Sequence, residues 1–216
     1  MTNQNLTLIA ALLDRSGSMQ DCKRATETGF DELIAKQRSE PGKAVVTLSM
    51  FDDVYENVYT DIPIAEVGPL ELVPRNTTAM LDATGRFITE IGEQLAALPE
   101  SARPGTVICL IMTDGYENAS VEWTWAAVEA LITQQRERYN WKFIFLGANI
   151  DAVQVGKRMG VPAAGALTYE PMAVGSAMRS TSRVMASVRA GVPMDFTADE
   201  RDSAMGRPST GRKRKK

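Results

Sequence analysis

The chain carries 24 lysines and arginines against 27 aspartates and glutamates over 216 residues, with 44% apolar residues, two cysteines and no histidine. The missing histidine excludes Ser-His-Asp and Cys-His catalytic triads and imidazole zinc sites, and Cys22 and Cys109 are too few for a four-cysteine zinc site. Any metal must therefore be held by oxygen atoms.

The length suits one core of about 150–200 residues plus a tail. No run reaches the roughly 18–20 apolar residues of a membrane span. The N-terminus lacks the basic region and long apolar segment of a secretory signal. Cys109, inside the apolar run 107–112, reads as a buried, reduced thiol. Together these features predict a cytoplasmic protein. The net charge of −3 is unevenly spread: Arg207, Arg212, Lys213, Arg214, Lys215 and Lys216 lie in the last ten residues, and the remaining 18 cations against 27 acids leave the body at −9. That acidity argues against nucleic-acid binding by the body.

In chain order, Leu6–Leu13, Ala44–Phe51, Thr106–Thr113 and Trp141–Gly147 are apolar on both parities, as strands covered on both faces are. Helices are predicted over Met19–Arg38, Thr78–Leu98, Ser120–Tyr139 with Ser120 as cap, and Asp151–Met159. Val54–Tyr59 alternates and follows Asp52-Asp53, so it reads as an antiparallel edge strand paired with Ala44–Phe51. A last strand near Ala166–Tyr169 and a helix over about Met172–Gly191 close the domain, with Met172, Met178 and Met185 on one helix face. Strands alternating with helices predict a doubly wound α/β fold, with a mostly parallel sheet, one antiparallel edge and helices on both faces. The domain spans residues 1–195. Residues 196–216 lose apolar periodicity and read as a disordered basic tail.

The chemistry concentrates at strand ends. Asp14-Arg15-Ser16-Gly17-Ser18 leaves the first strand with a carboxylate and two hydroxyls at alternate positions. Thr113-Asp114-Gly115 ends a second apolar strand, and Arg75–Asp82 is a polar loop running into a helix. Ligands in open α/β sheets bind outside the carboxyl ends of strands, near a topological switch point. Oxygen donors of this kind suit a hard cation such as Mg²⁺, and also Mn²⁺ or Ca²⁺.

These three elements, in this order, resemble the von Willebrand factor A domain, especially its small intracellular bacterial and phage members. The resemblance covers about residues 5–195 and implies a Rossmann-like fold with a metal-ion-dependent adhesion site. Carried over, it makes Asp14, Ser16, Ser18, Thr78 and Asp114 the metal ligands. Thr78 is aligned by the family's Gly-Gly-Thr-Ala-Leu-Leu-Asp onto 76–82, where this chain has Asn76-Thr77 in place of the glycines. Thr77 stays an alternative. The resemblance further implies a non-enzymatic, Mg²⁺-dependent protein-interaction module, completed by a partner's Asp or Glu, with AAA+ ATPases among the partners of such relatives.

Other readings stand beside these. Thr78 could cap its helix, with Asp82 as a first-turn acid. Glu117 and Asn118 could orient a metal-bound water or serve only as loop residues, and Asp52 and Asp53 read as turn residues. Trp123, Trp125 and Trp141 read as packing residues. A Mg²⁺-dependent phosphatase of the haloacid dehalogenase type also starts from a strand-end aspartate, but it needs a second aspartate where Ser16 stands. The tail Arg212–Lys216 could bind nucleic acid, an anionic membrane or a protein, or could only aid solubility.

Overall fold

The computed structural model describes residues 1–208. Its sheet has six strands: β1 (Asn3–Asp14), β2 (Lys43–Phe51), β3 (Tyr55–Pro63), β4 (Pro104–Thr113), β5 (Lys142–Ala148) and β6 (Ala166–Tyr169). They lie in the order β3-β2-β1-β4-β5-β6. All neighbours are parallel except β3, which runs antiparallel to β2 at the edge. The helices are α1 (Lys23–Arg38), α2 (Met80–Ala97), α3 (Trp125–Tyr139), α4 (Ala152–Arg158), α5 (Val174–Arg189) and α6 (Ala198–Ala204).

Two cores follow from the strands' two-residue period. Ile9, Ala11 and Leu13 of β1, with Ile108, Leu110 and Met112 of β4, pack in one layer with residues of α1 and α5. Leu8, Ala10 and Leu12, with Val107, Cys109 and Ile111, pack in the other with α2 and α3. Each large buried aliphatic side chain contributes about 1.5–3 kcal/mol. Both parities are committed, so a slip of one residue in β1 would invert every contact. β1 therefore sits in a fixed register between β2 and β4, and the chain reverses its winding direction there. The carboxyl ends of β1 and β4 flank that reversal, which puts Asp14 and Asp114 on the same rim.

Several boundaries differ from expectation, each for a local reason. The third helix starts at Trp125, not Ser120, and its cap is Thr124, whose side chain accepts from the Ala127 N–H at 3.2 Å. Residues 117–123 are bound instead to the start of α2. A 3₁₀ turn over Gly17–Asp21 delays α1 to Lys23. Met172 is 95% exposed in a turn before α5, so only Met178 and Met185 of the three methionines face the core. The segment after residue 195 is not a loose tail from its start. Thr197 and Glu200 form a reciprocal capping box for α6, Phe196 and Ala204 are buried, and Arg201 donates to the Ala166 carbonyl at 2.8 Å. The Thr-x-x-Glu spacing was the sequence signal for this helix, in a stretch too short to show apolar periodicity. The Arg212–Lys216 cluster lies outside the described residues.

Both cysteines are free and buried, and burial pushes the Cys109 thiol far above its ordinary range. Among the described residues no helix is long and apolar enough to cross a membrane.

Candidate metal centre

Asp14 ends β1, fully buried, and its two oxygens are already engaged. Oδ1 accepts from the Ser16 N–H at 2.6 Å, which folds the chain back just after the strand. Oδ2 accepts from the Thr113 hydroxyl at 2.6 Å, joining the ends of β1 and β4. Ser16 Oγ lies 3.2 Å from Ser18 Oγ, and Ser18 Oγ donates to Asp114 Oδ1 at 2.6 Å. Ser16, Ser18 and Asp114 thus form a row of side-chain oxygen contacts, which the Ser16 N–H joins to Asp14, while Thr113, the residue before Asp114, holds the other Asp14 oxygen.

Thr78 reaches the same place from a third segment. It is 3% exposed, and a methyl group placed on Gly115 would lie 3.8 Å from Ser18 Oγ and 4.0 Å from Thr78 Oγ1. It does not cap α2: Ala79 holds that position without a side-chain bond, and the Thr78 N–H donates to Asn118 Oδ1 at 3.0 Å. Thr77 is exposed. The loop is fixed by Gly17 N–H to the Asn76 carbonyl at 3.1 Å and Arg75 N–H to the Arg15 carbonyl at 2.8 Å. Asn76 has φ +57°, a left-handed conformation in which asparagine is among the tolerated non-glycine residues. Its side chain is anchored on Asp53 at 2.8 Å. Asn76 thus fills a position where the resembled motif has glycine.

Arg15 points away from this cluster, with Nε 3.3 Å from Asp52 and Nη1 2.5 Å from Glu56. Arg75 also binds Asp52, at 2.5 Å. Asp52 accepts from the Val54 N–H at 2.7 Å as a turn residue does. Burial alone would raise its carboxyl, but the Arg75 hydrogen bond, the turn N–H and the two guanidinium charges bring it below its ordinary value. Asp14 and Asp114 have no such help: among the described residues neither pairs with a lysine or arginine. Burial raises Asp14 to about 6 despite the hydrogen bonds from Thr113 and Ser16. Burial raises Asp114 too, opposed by the Ser18 hydroxyl.

Two buried carboxylates without a countercation are costly when ionised. A small divalent cation among these oxygens would offset both charges, and the donor set, carboxylate and hydroxyl only, fits a hard ion. Among the described residues no group of three or more His, Cys, Asp or Glu side chains could hold a metal by itself, so a cation here would depend on the hydroxyls.

The residues that position the site were less visible in the sequence. Glu117 accepts from the N–H groups of Ala119, Ser120 and Leu81 at 3.0, 2.7 and 2.9 Å. Asp82 accepts from those of Val121, Glu122 and Trp123 at 2.8, 3.0 and 2.7 Å. These carboxylates bind the loop after Asp114 to the first turn of α2. The Trp123 ring then lies against Gly85, where a Cβ would come within 2.0 Å of it. Only glycine allows that approach. Trp141, 5% exposed, is stacked on Phe143 at 6.3 Å, and Trp125 lies under the Arg158 guanidinium.

No family model matches the chain, and no curated protein matches it by sequence. Its structure is similar to a von Willebrand factor type A protein from Catenulispora acidiphila, with TM-score 0.57 and 15% identity over 84% of this chain and 43% of that one. It is similar to proximal thread matrix protein 1 of the mussel byssus, with TM-score 0.60 and 12% identity over 84% of this chain and 46% of the other. The vWF domain of the type V pili tip protein Mfa5 from Porphyromonas gingivalis matches at TM-score 0.55 and 9% identity, over 89% of this chain and 98% of that one. The chain thus spans less than half the length of the first two. The layered sheet, its single antiparallel edge and these likenesses show that the chain has the von Willebrand factor A fold.

Proposed function

We propose that this protein is a non-enzymatic binding module that holds a hard divalent cation, Mg²⁺ in the first instance, through Asp14, Ser16, Ser18, Thr78 and Asp114. The ion's remaining position takes a carboxylate from a partner protein. The observation that carries this reading is the pairing of two buried, uncompensated carboxylates with three hydroxyl side chains on one rim of the sheet. With neutral hydroxyls in place of further carboxylates, the site with its ion is formally neutral rather than negative, so the ion can still accept an acidic group. Ser16 stands where a phosphatase of the haloacid dehalogenase type would need its general acid, and a hydroxyl does not do that work.

Isothermal titration of the full chain with MgCl₂ and MnCl₂ tests the site. Saturable one-to-one binding in the wild type, lost in Asp14→Ala, is expected. Equal heats in both proteins would overturn the proposal, and Mg²⁺-dependent phosphatase turnover lost in Asp14→Asn would replace it with the enzymatic alternative.

A further inference from the structure

Beside the proposed metal position lies a cavity of about 320 Å³. It is lined by Met80, Tyr116, Trp125, Ile150, Val155 and Arg158, and by Glu117, whose carboxylate is engaged by the N–H groups of Leu81, Ala119 and Ser120. Gly115 also lines it, and the same glycine lies under the Ser18 and Thr78 hydroxyls. The cavity therefore begins one residue from Asp114. Its volume is within the range of small-ligand pockets, and its lining is mainly apolar.

Two details indicate what it takes. Tyr116 is 65% exposed, an aromatic ring left in water beside an apolar hollow. Arg158 is exposed, and its guanidinium carbon sits 3.9 Å from the Trp125 ring centroid. Among the described residues it has no carboxylate within salt-bridge distance. The body of the chain is strongly acidic, so an acidic partner is repelled except where a local cation receives it. A guanidinium held over an indole is pre-ordered for a carboxylate.

We infer, resting on the metal reading above, that the partner segment is an acidic, extended peptide with a bulky apolar residue within two positions of its metal-bound Asp or Glu. That apolar side chain fills the cavity, and a second acid of the segment pairs with Arg158. The spacing follows from geometry: an extended chain advances about 3.3 Å per residue, so the neighbour or next neighbour of the metal-bound acid lies over the cavity mouth.

The test pans a random dodecapeptide phage library on the full chain in MgCl₂ and elutes with chelator. Eluted peptides are expected to carry Asp or Glu with Leu, Met, Phe, Tyr or Trp one or two positions away. Synthetic peptides from that pool should bind Arg158→Gln and Tyr116→Ser about tenfold more weakly than wild type. Both side chains are exposed, so neither change threatens the core. Mg²⁺ affinity of the free proteins, measured by calorimetry, should be the same in all three. A pool of acidic peptides without apolar neighbours, equal binding by the variants, or no chelator-eluted pool would overturn the inference. Calorimetry separates the two claims: wild-type protein that binds no Mg²⁺ fails the metal reading itself, whereas normal Mg²⁺ binding with unselective peptides fails only the cavity.

Discussion

Ser18 and Asp114 belong to the loops after β1 and β4, and the Ser18 hydroxyl donates to Asp114 Oδ1 at 2.6 Å. The neighbouring bond from Thr113 to Asp14, also 2.6 Å, runs the opposite way, from the β4 end to the β1 end. The two crossed bonds fix the separation of the strand ends. A serine hydroxyl that gives its proton to a carboxylate keeps its lone pairs free. The Ser18 bond is therefore compatible with a cation on the same oxygen.

Metal should stabilise the folded chain. At a Mg²⁺ concentration about 100 times Kd, binding to the native state adds about 2.7 kcal/mol. For a domain of this size that is a rise of roughly 5–10 °C in Tm. Differential scanning calorimetry with MgCl₂ and with EDTA should show that rise in wild type and its loss in Asp14→Ala. A rise that survives in Asp14→Ala would count against this ligand set.

Asp14 should lower the stability of the metal-free protein progressively as pH rises from about 4 to 6. Burial raises the Asp14 carboxyl from 3.8 to about 6 in the folded state. The folded chain then holds a proton that the unfolded chain has released, so stability falls across that window. The full effect of a shift of this size is about 3 kcal/mol. Asp14→Asn should flatten this dependence and raise the metal-free Tm near neutral pH. Mg²⁺ binding has the opposite trend: it requires the ionised carboxylate, so affinity should increase through the same window. Denaturant midpoints of wild type and Asp14→Asn in EDTA from pH 4 to 8 would check the first claim, and parallel profiles in the two proteins would refute it.

Gly85→Ala should destabilise despite the better helix propensity of alanine. The gain is about 1 kcal/mol, but the new Cβ would overlap the Trp123 ring at 2.0 Å. Overpacking of this kind costs about 1–3 kcal/mol or more. In a Trp123→Ala background the clash is absent, and Gly85→Ala should then be neutral or stabilising. Urea unfolding of the four proteins in this cycle measures the coupling. Additive effects would show that Trp123 does not rest on Gly85.

Asp82→Ala should free the loop after Asp114 without unfolding the domain. Three backbone N–H groups lose their shared acceptor. Since the segment can open to water, the cost should stay near 2 kcal/mol. Hydrogen exchange at Val121, Glu122 and Trp123 should accelerate, while the amides of β1 and β4 keep their protection. Mg²⁺ affinity should fall only modestly, because Asp114 remains tied to Ser18. Unchanged exchange at all three amides would refute the role given to Asp82.

The parallel strands and most helices were readable because their periodicity is a local property. Leu12 and Leu13 are adjacent apolar residues that feed opposite layers, and only a doubly covered strand accepts such a pair. Shorter elements were harder. The capping box at Thr197 and Glu200 starts a seven-residue helix whose stability depends on the burial of Phe196 and Ala204. Ser120 looked like a helix cap. Its hydroxyl instead serves the start of α2, accepting from the Leu81 and Asp82 N–H groups at 3.1 and 3.0 Å.

By itself the sequence determined the layered α/β architecture, the strand-end placement of Asp14 and Asp114, and the restriction of any metal site to oxygen donors. Alternating burial, turn-forming residues and the absence of histidine are written along the chain and need no long-range information. Tertiary structure decided the rest: the Thr78 hydroxyl lies near Ser18, Glu117 and Asp82 bind the loop to α2, and Arg158 stands over Trp125 beside an apolar cavity. Those relations join residues far apart in sequence. They exist only once the sheet register and helix docking have fixed the distances between them, because a hydrogen bond requires its partners within about 3 Å.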